Sequence, residues 1–188
     1  MKNFLSNFKS SAAELKNVRC LTVTGIMVAI FILLDMCSIK IGDFIKINFN
    51  FTAIAVVGML FGPVPAVLAS IAGDLIGCIL SGQAPLIPLS LTSMLEGLLY
   101  GIMLYKKSGM KLVIFSIAAR VVDSAVICLI FNTAILMYFG LMSKTTAQLY
   151  MRYGKLSTEL VFFIPLIIFL LPAVQKLYEK NFRRKTRL

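Results

Sequence analysis

Asp35, Asp74, Glu96, Arg120 and Asp123 all lie in runs of sequence that are otherwise apolar. A charge at bilayer depth costs several kcal/mol, so side chains of this kind default to a functional reading. Two acids meeting in a membrane could work as a diaspartyl protease, and Asp74 with Asp123 is the pair that would serve. Arg120 and Asp123, however, are three apart and can neutralise each other on one helix. Asn132 and Thr133 follow on the same stretch, at ~1.5 Å per residue nearly 20 Å further along. They offer either a polar contact to a ligand or an interhelical hydrogen bond. Other catalytic chemistry finds little support. The chain has no histidine, which removes the usual zinc and imidazole acid–base machinery. It carries neither a G-x-S-x-G elbow nor a phosphate-binding P-loop. Binding is therefore favoured over catalysis, and no cofactor or metal is expected.

The elements that must position these groups are apolar helices. Of 188 residues 59% are hydrophobic and 14% charged, with a mean hydropathy of +0.91. Soluble domains run nearer 45–50% apolar and about 25% charged. The fold class that follows is an all-α integral membrane protein. Six segments approach the roughly 17–25 residues that a span requires: 20–39, 50–60, 64–80, 86–105, 112–141 and 160–177. They read as one six-helix bundle. The net charge of +11 does not call for nucleic acid, because the basic residues cluster before residue 20, at Lys106, Lys107 and Lys111, and from Lys176 onward. Lysine and arginine concentrate on the cytoplasmic side of membrane proteins, so both termini are expected in the cytoplasm, in a multi-pass protein of the plasma membrane surrounded by lipid. The cysteines Cys20, Cys37, Cys78 and Cys128 lack C-x-x-C spacing and read as small buried hydrophobes.

Residues 1–19 form a basic leader with Phe4, Phe8, Ala12, Leu15 and Val18 on one helical face, an amphipathic helix at the interface. Ser11 and Glu14 have the spacing of a capping box. Residues 20–177 make up the transmembrane domain, and 178–188 a basic cytoplasmic tail. This arrangement puts three chemically varied loops outside. "KIGDFIKINFNF" alternates like a short hairpin, "SGQAPLIP" is proline-rich, and "SKTTAQLYMRYGKLSTE" carries Tyr150, Arg152 and Tyr153. Small residues four apart let helices approach closely. They occur as Gly25-x-x-x-Ala29, Ala69-x-x-x-Gly73-x-x-x-Gly77 and Gly97-x-x-x-Gly101, where packing within the monomer is as good an explanation as a partner. Asp74, beside Gly73, is expected to bond a neighbouring helix.

Several of these pieces together resemble a known family. They are Ile41-Gly42-Asp43 with Lys46-Ile47-Asn48-Phe49, Gly58-Met59-Leu60-Phe61-Gly62-Pro63, Gly73-Asp74-Leu75-Ile76-Gly77, Gly97-Leu98-Leu99-Tyr100-Gly101, and Asn132-Thr133 with Tyr138 and Gly140. The chain resembles the S components, the substrate-binding subunits of energy-coupling factor (ECF) vitamin transporters, and within them the folate branch. The resemblance covers most of residues 20–177. It implies a vitamin pocket formed by spans four to six with the external loops, to which Lys46, Asn48, Phe49, Glu96, Asn132, Tyr150 and Arg152 are assigned. It also implies docking through Gly25, Ala29, Ala69 and Gly73 onto a transmembrane coupling protein driven by two cytoplasmic ATPases. Asp74, Arg120 and Asp123 are then structural polar groups. The chain departs from the folate branch at Leu86–Thr92, where an aromatic-Pro-Gly-aromatic-Thr run is usual, and at Glu96. Another vitamin is therefore an alternative ligand, and an autonomous small transporter is an alternative function. The external loops hold more lysine and arginine than acid, which suits an anionic ligand such as folate.

Overall fold

The computed structural model describes residues 2–41, 45–82, 87–138 and 163–180. Helix α1 (Lys2–Glu14) lies across one end of a bundle built from α2 (Val18–Met36), α3 (Phe51–Phe61), α4 (Pro63–Leu80), α5 (Ile87–Leu104), α6 (Gly109–Val122) and α8, described over residues 163–180. After α6 the chain runs on as a π-helix (Asp123–Asn132) and ends in the short α7 (Thr133–Tyr138). The strands β1 (Ile39–Ile41) and β2 (Ile45–Ile47) form an antiparallel hairpin, with Lys40 opposite Lys46. The alternation in this segment predicts that hairpin, and it forms because α2 ends at Met36 and the chain must return to start α3. Among the described residues, four helical stretches are long and apolar enough to cross a membrane: Val18–Met36, Pro63–Leu80, Ile87–Leu104 and Gly109–Ile135. The molecule is a membrane helical bundle.

The core is centred on α3, whose residues from Phe51 to Met59 are all buried. At ~1.5 Å per residue its eleven residues cover only about 16 Å. It therefore begins partway through the bundle, and the segment leading into it, 48–50, enters the interior. Around α3 the helices touch backbone to backbone. A Cβ at Gly101 would collide with Pro63, one at Gly97 would come within 2.5 Å of Ser70 Oγ, and one at Gly58 within 2.9 Å of the Gly101 nitrogen. The Gly97-x-x-x-Gly101 stripe is thus internal packing of α5 on α4 and α3.

The turn between α3 and α4 is Gly62, at φ +90°, a conformation that favours glycine. Ser11 is fully buried against it. Its hydroxyl donates to the Phe61 carbonyl at 2.8 Å and accepts from the Val64 amide at 3.1 Å. This corrects the capping-box expectation: α1 runs through Ser11 to Glu14, and the following helix is capped by Asn17, whose side chain accepts from the Arg19 amide at 3.1 Å. Ser11 is spent on tertiary contact. Ser10 meets the Tyr105 hydroxyl at 3.2 Å and Lys106 reaches Asn7 at 3.3 Å, so α1 is fastened to the bundle at several points.

Candidate functional site

A cavity of about 390 Å³ lies between α2, α4, α5 and the π-helix, beside the segment that enters α3. That is within the usual range for small-molecule sites, about 300–1,000 Å³. Its wall draws on Phe31 and Asp35 from α2, Asn48 and Asn50, Gly73, Asp74, Gly77 and Cys78 from α4, and Thr92, Ser93 and Glu96 from α5. Arg120, Asp123, Ile127, Cys128 and Asn132 complete it. Among the described residues no α8 side chain lines it, whereas α2 and α4 do. Of the spans four to six expected to form the pocket, four and five line this cavity through α5 and the π-helix, and α2 and α4 add to it.

The segment that enters divides its side chains: Asn48 and Asn50, the latter already helical at φ −59° and ψ −32°, line the cavity, while Phe49 turns away. The Phe49 ring packs edge-on against Phe163 at 5.2 Å and lines a separate apolar groove with Met27, Ile30 and Leu170. Phe49 therefore does not line this cavity, contrary to its assignment. Asn50 donates to Asp35 Oδ1 at 3.4 Å. The Asn48 Oδ1 atom is buried without a hydrogen-bond partner among the described residues.

At the floor, Arg120 Nη1 donates to Asp123 Oδ2 at 2.7 Å, with both side chains almost wholly buried. The Tyr100 hydroxyl donates to the same oxygen at 3.5 Å. The guanidinium also lies over the rings of Phe51, 4.1 Å from the centroid, and Phe163, at 4.7 Å. Such contacts strengthen when desolvated. One cation thus ties the π-helix to the start of α3 and to α8. Higher up, Ser90 donates to Asp74 Oδ2 at 2.8 Å, so Asp74 joins α4 to α5 and also lines the cavity. Glu96 and Asn132, from different elements, converge on the same space.

The remaining assigned residues fall in different places. Lys46 is in β2. Tyr150 and Arg152 lie outside the described residues, as does Asp43. Gly25 and Ala29 are exposed on the outer face of α2, and a Cβ at Gly25 would meet nothing within 4 Å. Ala69 and Gly73 are buried inside the bundle instead. A Cβ on Gly73 would come within 2.6 Å of the Phe31 ring, so that glycine makes room for the ring beside the cavity. In α4 the small residues face inward and Leu68, Leu75, Ile76 and Ile79 face outward, which places Ala69 and Gly73 off any docking face. Sequence reasoning passed over Asn50, Thr92, Ser93 and Cys128. Asp35 was flagged by its charge in an apolar run but not joined to the site.

The cavity combines three carboxylates outside the Arg120 pair (Asp35, Asp74 and Glu96) with three amides (Asn48, Asn50 and Asn132). Such a wall accepts hydrogen bonds more than it donates them.

Comparison with known proteins gives two findings. The family model described as "ECF-type riboflavin transporter, S component" matches residues 15–178. Among solved structures, FolT in a crystal structure with bound folic acid is similar to the chain with a TM-score of 0.61 and 22% identity. The likeness covers 77% of this chain and 88% of that one. A search of curated proteins gave no match.

Proposed function

The chain belongs to the family of ECF-type riboflavin transporter S components, and from that premise we propose that it is a vitamin-binding subunit specific for folate. It captures folate from outside the plasma membrane and passes it inward with a coupling protein and two ATPases. In this reading six helices cross the membrane and both termini are cytoplasmic. The observation that carries the ligand assignment is the acceptor-rich cavity. A pterin presents adjacent N–H donors along one edge, which carboxylates and amide oxygens can receive. An isoalloxazine presents a single ring N–H flanked by carbonyls, which carboxylates repel. FolT, which holds folic acid, supports the same reading at the level of fold. Riboflavin is the second reading, favoured by the description of the matching family.

The glutamate tail of folate carries two negative charges, and Lys46 and Arg152 are the cations assigned to it. The guanidinium of Arg152 can hold a carboxylate at two points. Titration calorimetry of the purified protein with folic acid, riboflavin and a tail-less pterin is the test. Folic acid should bind most tightly, and Arg152→Gln should weaken it by ~1.5–3 kcal/mol while sparing the pterin. Binding of riboflavin but not folic acid would overturn the folate assignment. Equal binding of folic acid by wild type and variant would remove Arg152 from the site.

A further inference from the structure

Between Asp123 and Asn132 the backbone is π-helical, while α6 and α7 on either side are α-helical. An α-helix advances about 100° per residue, so Asp123 and Asn132, nine apart, would point to opposite faces, and Cys128 would stand about 140° from Asp123. Hydrogen bonding from i to i+5 puts more residues in each turn, and positions four to five apart then stack in one column. Asp123, Ile127, Cys128 and Asn132 have that spacing, and all four line the cavity. Val126, Ile130 and Phe131 are exposed on the outer side. Buried Thr133 closes the segment by donating to the Cys128 carbonyl, five residues back, at 3.4 Å.

We infer that the π register is the specificity-determining element of this cavity, that it makes Cys128 and Asn132 ligand-reading residues, and that Thr133 is the positioning residue that holds it. The role as a reader of ligand rests on the vitamin-binding function proposed above; the register itself does not. Ile127 and Cys128 supply an apolar, polarisable wall for the face of a flat heterocycle. Asn132 supplies one amide donor group and one acceptor for its edge. In the α register, continued from Asp123, Ile130 and Phe131 would move to the cavity side, and Asn132 would turn its amide toward hydrocarbon, where an unsatisfied polar group is costly.

Cysteine labelling tests this without knowledge of the ligand. The full chain, with Cys20, Cys37 and Cys78 replaced by alanine, keeps the native Cys128 and needs no new side chain in the π-helix. Further variants lack Cys128 as well and carry Val126→Cys, Ile127→Cys, Ile130→Cys, Phe131→Cys or Asn132→Cys singly. Each is placed in lipid nanodiscs and treated with a water-soluble, membrane-impermeant maleimide. Positions 127, 128 and 132 should react at least about tenfold faster than 126, 130 and 131, because reactivity follows access to water. Fast reaction at 130 and 131 with protection of 128 and 132 would overturn the register. Thr133→Val should slow labelling at Cys128 and Thr133→Ser should restore it; an unchanged rate in Thr133→Val would overturn the role of Thr133. A parallel arm adds folic acid. Protection of the native Cys128 supports it as ligand-reading; the same labelling pattern without protection, in a protein that binds folic acid by calorimetry, overturns that role and leaves the register standing, and absence of binding by calorimetry sinks the folate assignment instead.

Discussion

The two sides of α5 are built on opposite principles. Toward α3 and α4, Gly97 and Gly101 bring backbones together so closely that no side chain could be added. Toward α2 and the π-helix, the same helix presents Thr92, Ser93 and Glu96 to an open, polar volume. The dry side gains its stability from dispersion contacts at close range. The polar side is held apart by a few directed contacts: Arg120 with Asp123, Ser90 with Asp74, and Asn50 with Asp35. A binding protein needs both, since a cavity persists only where its walls are anchored to something that does not collapse.

The strongest way to break this contrast is at the point where the sides meet. Arg120→Met leaves Asp123 buried beside Tyr100 without its cation, and removing one partner of a buried pair costs ~3–5 kcal/mol. Thermal unfolding in detergent should show a large loss, and adding Asp123→Leu should recover most of it. If the double variant is no better than the single one, the pair is not the unit that holds the floor. Next in size is Gly101→Val, which pushes α5 off Pro63; overpacking of this kind costs ~1–3 kcal/mol or more. The same melting assay checks it, and an unchanged midpoint would mean that the helices separate freely.

The comparison sharpens when a change affects binding and not folding. Glu96→Ala and Asn132→Ala lie on the open side and should leave the melting midpoint near wild type. Each should weaken folic acid by ~1–3 kcal/mol in calorimetry, because a ligand donor or acceptor loses its partner. Unchanged affinity in both would move the ligand elsewhere. The smallest effect on the folded chain is expected from Ala29→Trp, on the exposed face of α2: within about ±0.5 kcal/mol of stability, with binding retained. Under the docking proposal, vesicle uptake with the coupling module should nevertheless be lost. Normal uptake would leave Ala29 a lipid-facing residue.

Much of this architecture was legible in the sequence. The end of α3 and the start of α4 were each read within one residue, because an uncharged Gly-Pro turn between runs of apolar residues admits few alternatives. The pairing of Arg120 with Asp123 followed from spacing and from the cost of either charge alone. Two things were hidden for physical reasons. A small-residue stripe says that something approaches closely but carries no sign of direction, so Gly25 and Gly73 looked alike although one faces outward and the other lies under Phe31. And periodicity at 3.6 residues per turn presumes an α-helix. No residue type announces a π-helix, so the shared column of Asp123 and Asn132, nine apart, could not be read from their spacing.

Ser11 carries a consequence for how the chain is made. Its two hydrogen bonds go to Phe61 and Val64, groups that do not exist until some fifty residues after it have been synthesised. At ~5–20 residues per second that is a wait of roughly 2.5–10 s. Throughout it, the Ser11 hydroxyl lacks the two partners that seat the first helix against the α3–α4 turn. The last apolar turn of α3 and the first of α4 then meet at Gly62, and their free carbonyl and amide are claimed from outside the hairpin by a residue much nearer the beginning of the chain. The Ser11 bonds therefore require the completed α3–α4 hairpin, whereas the Ser10 and Asn7 contacts, made to Tyr105 and Lys106, wait until α5 has been translated as well.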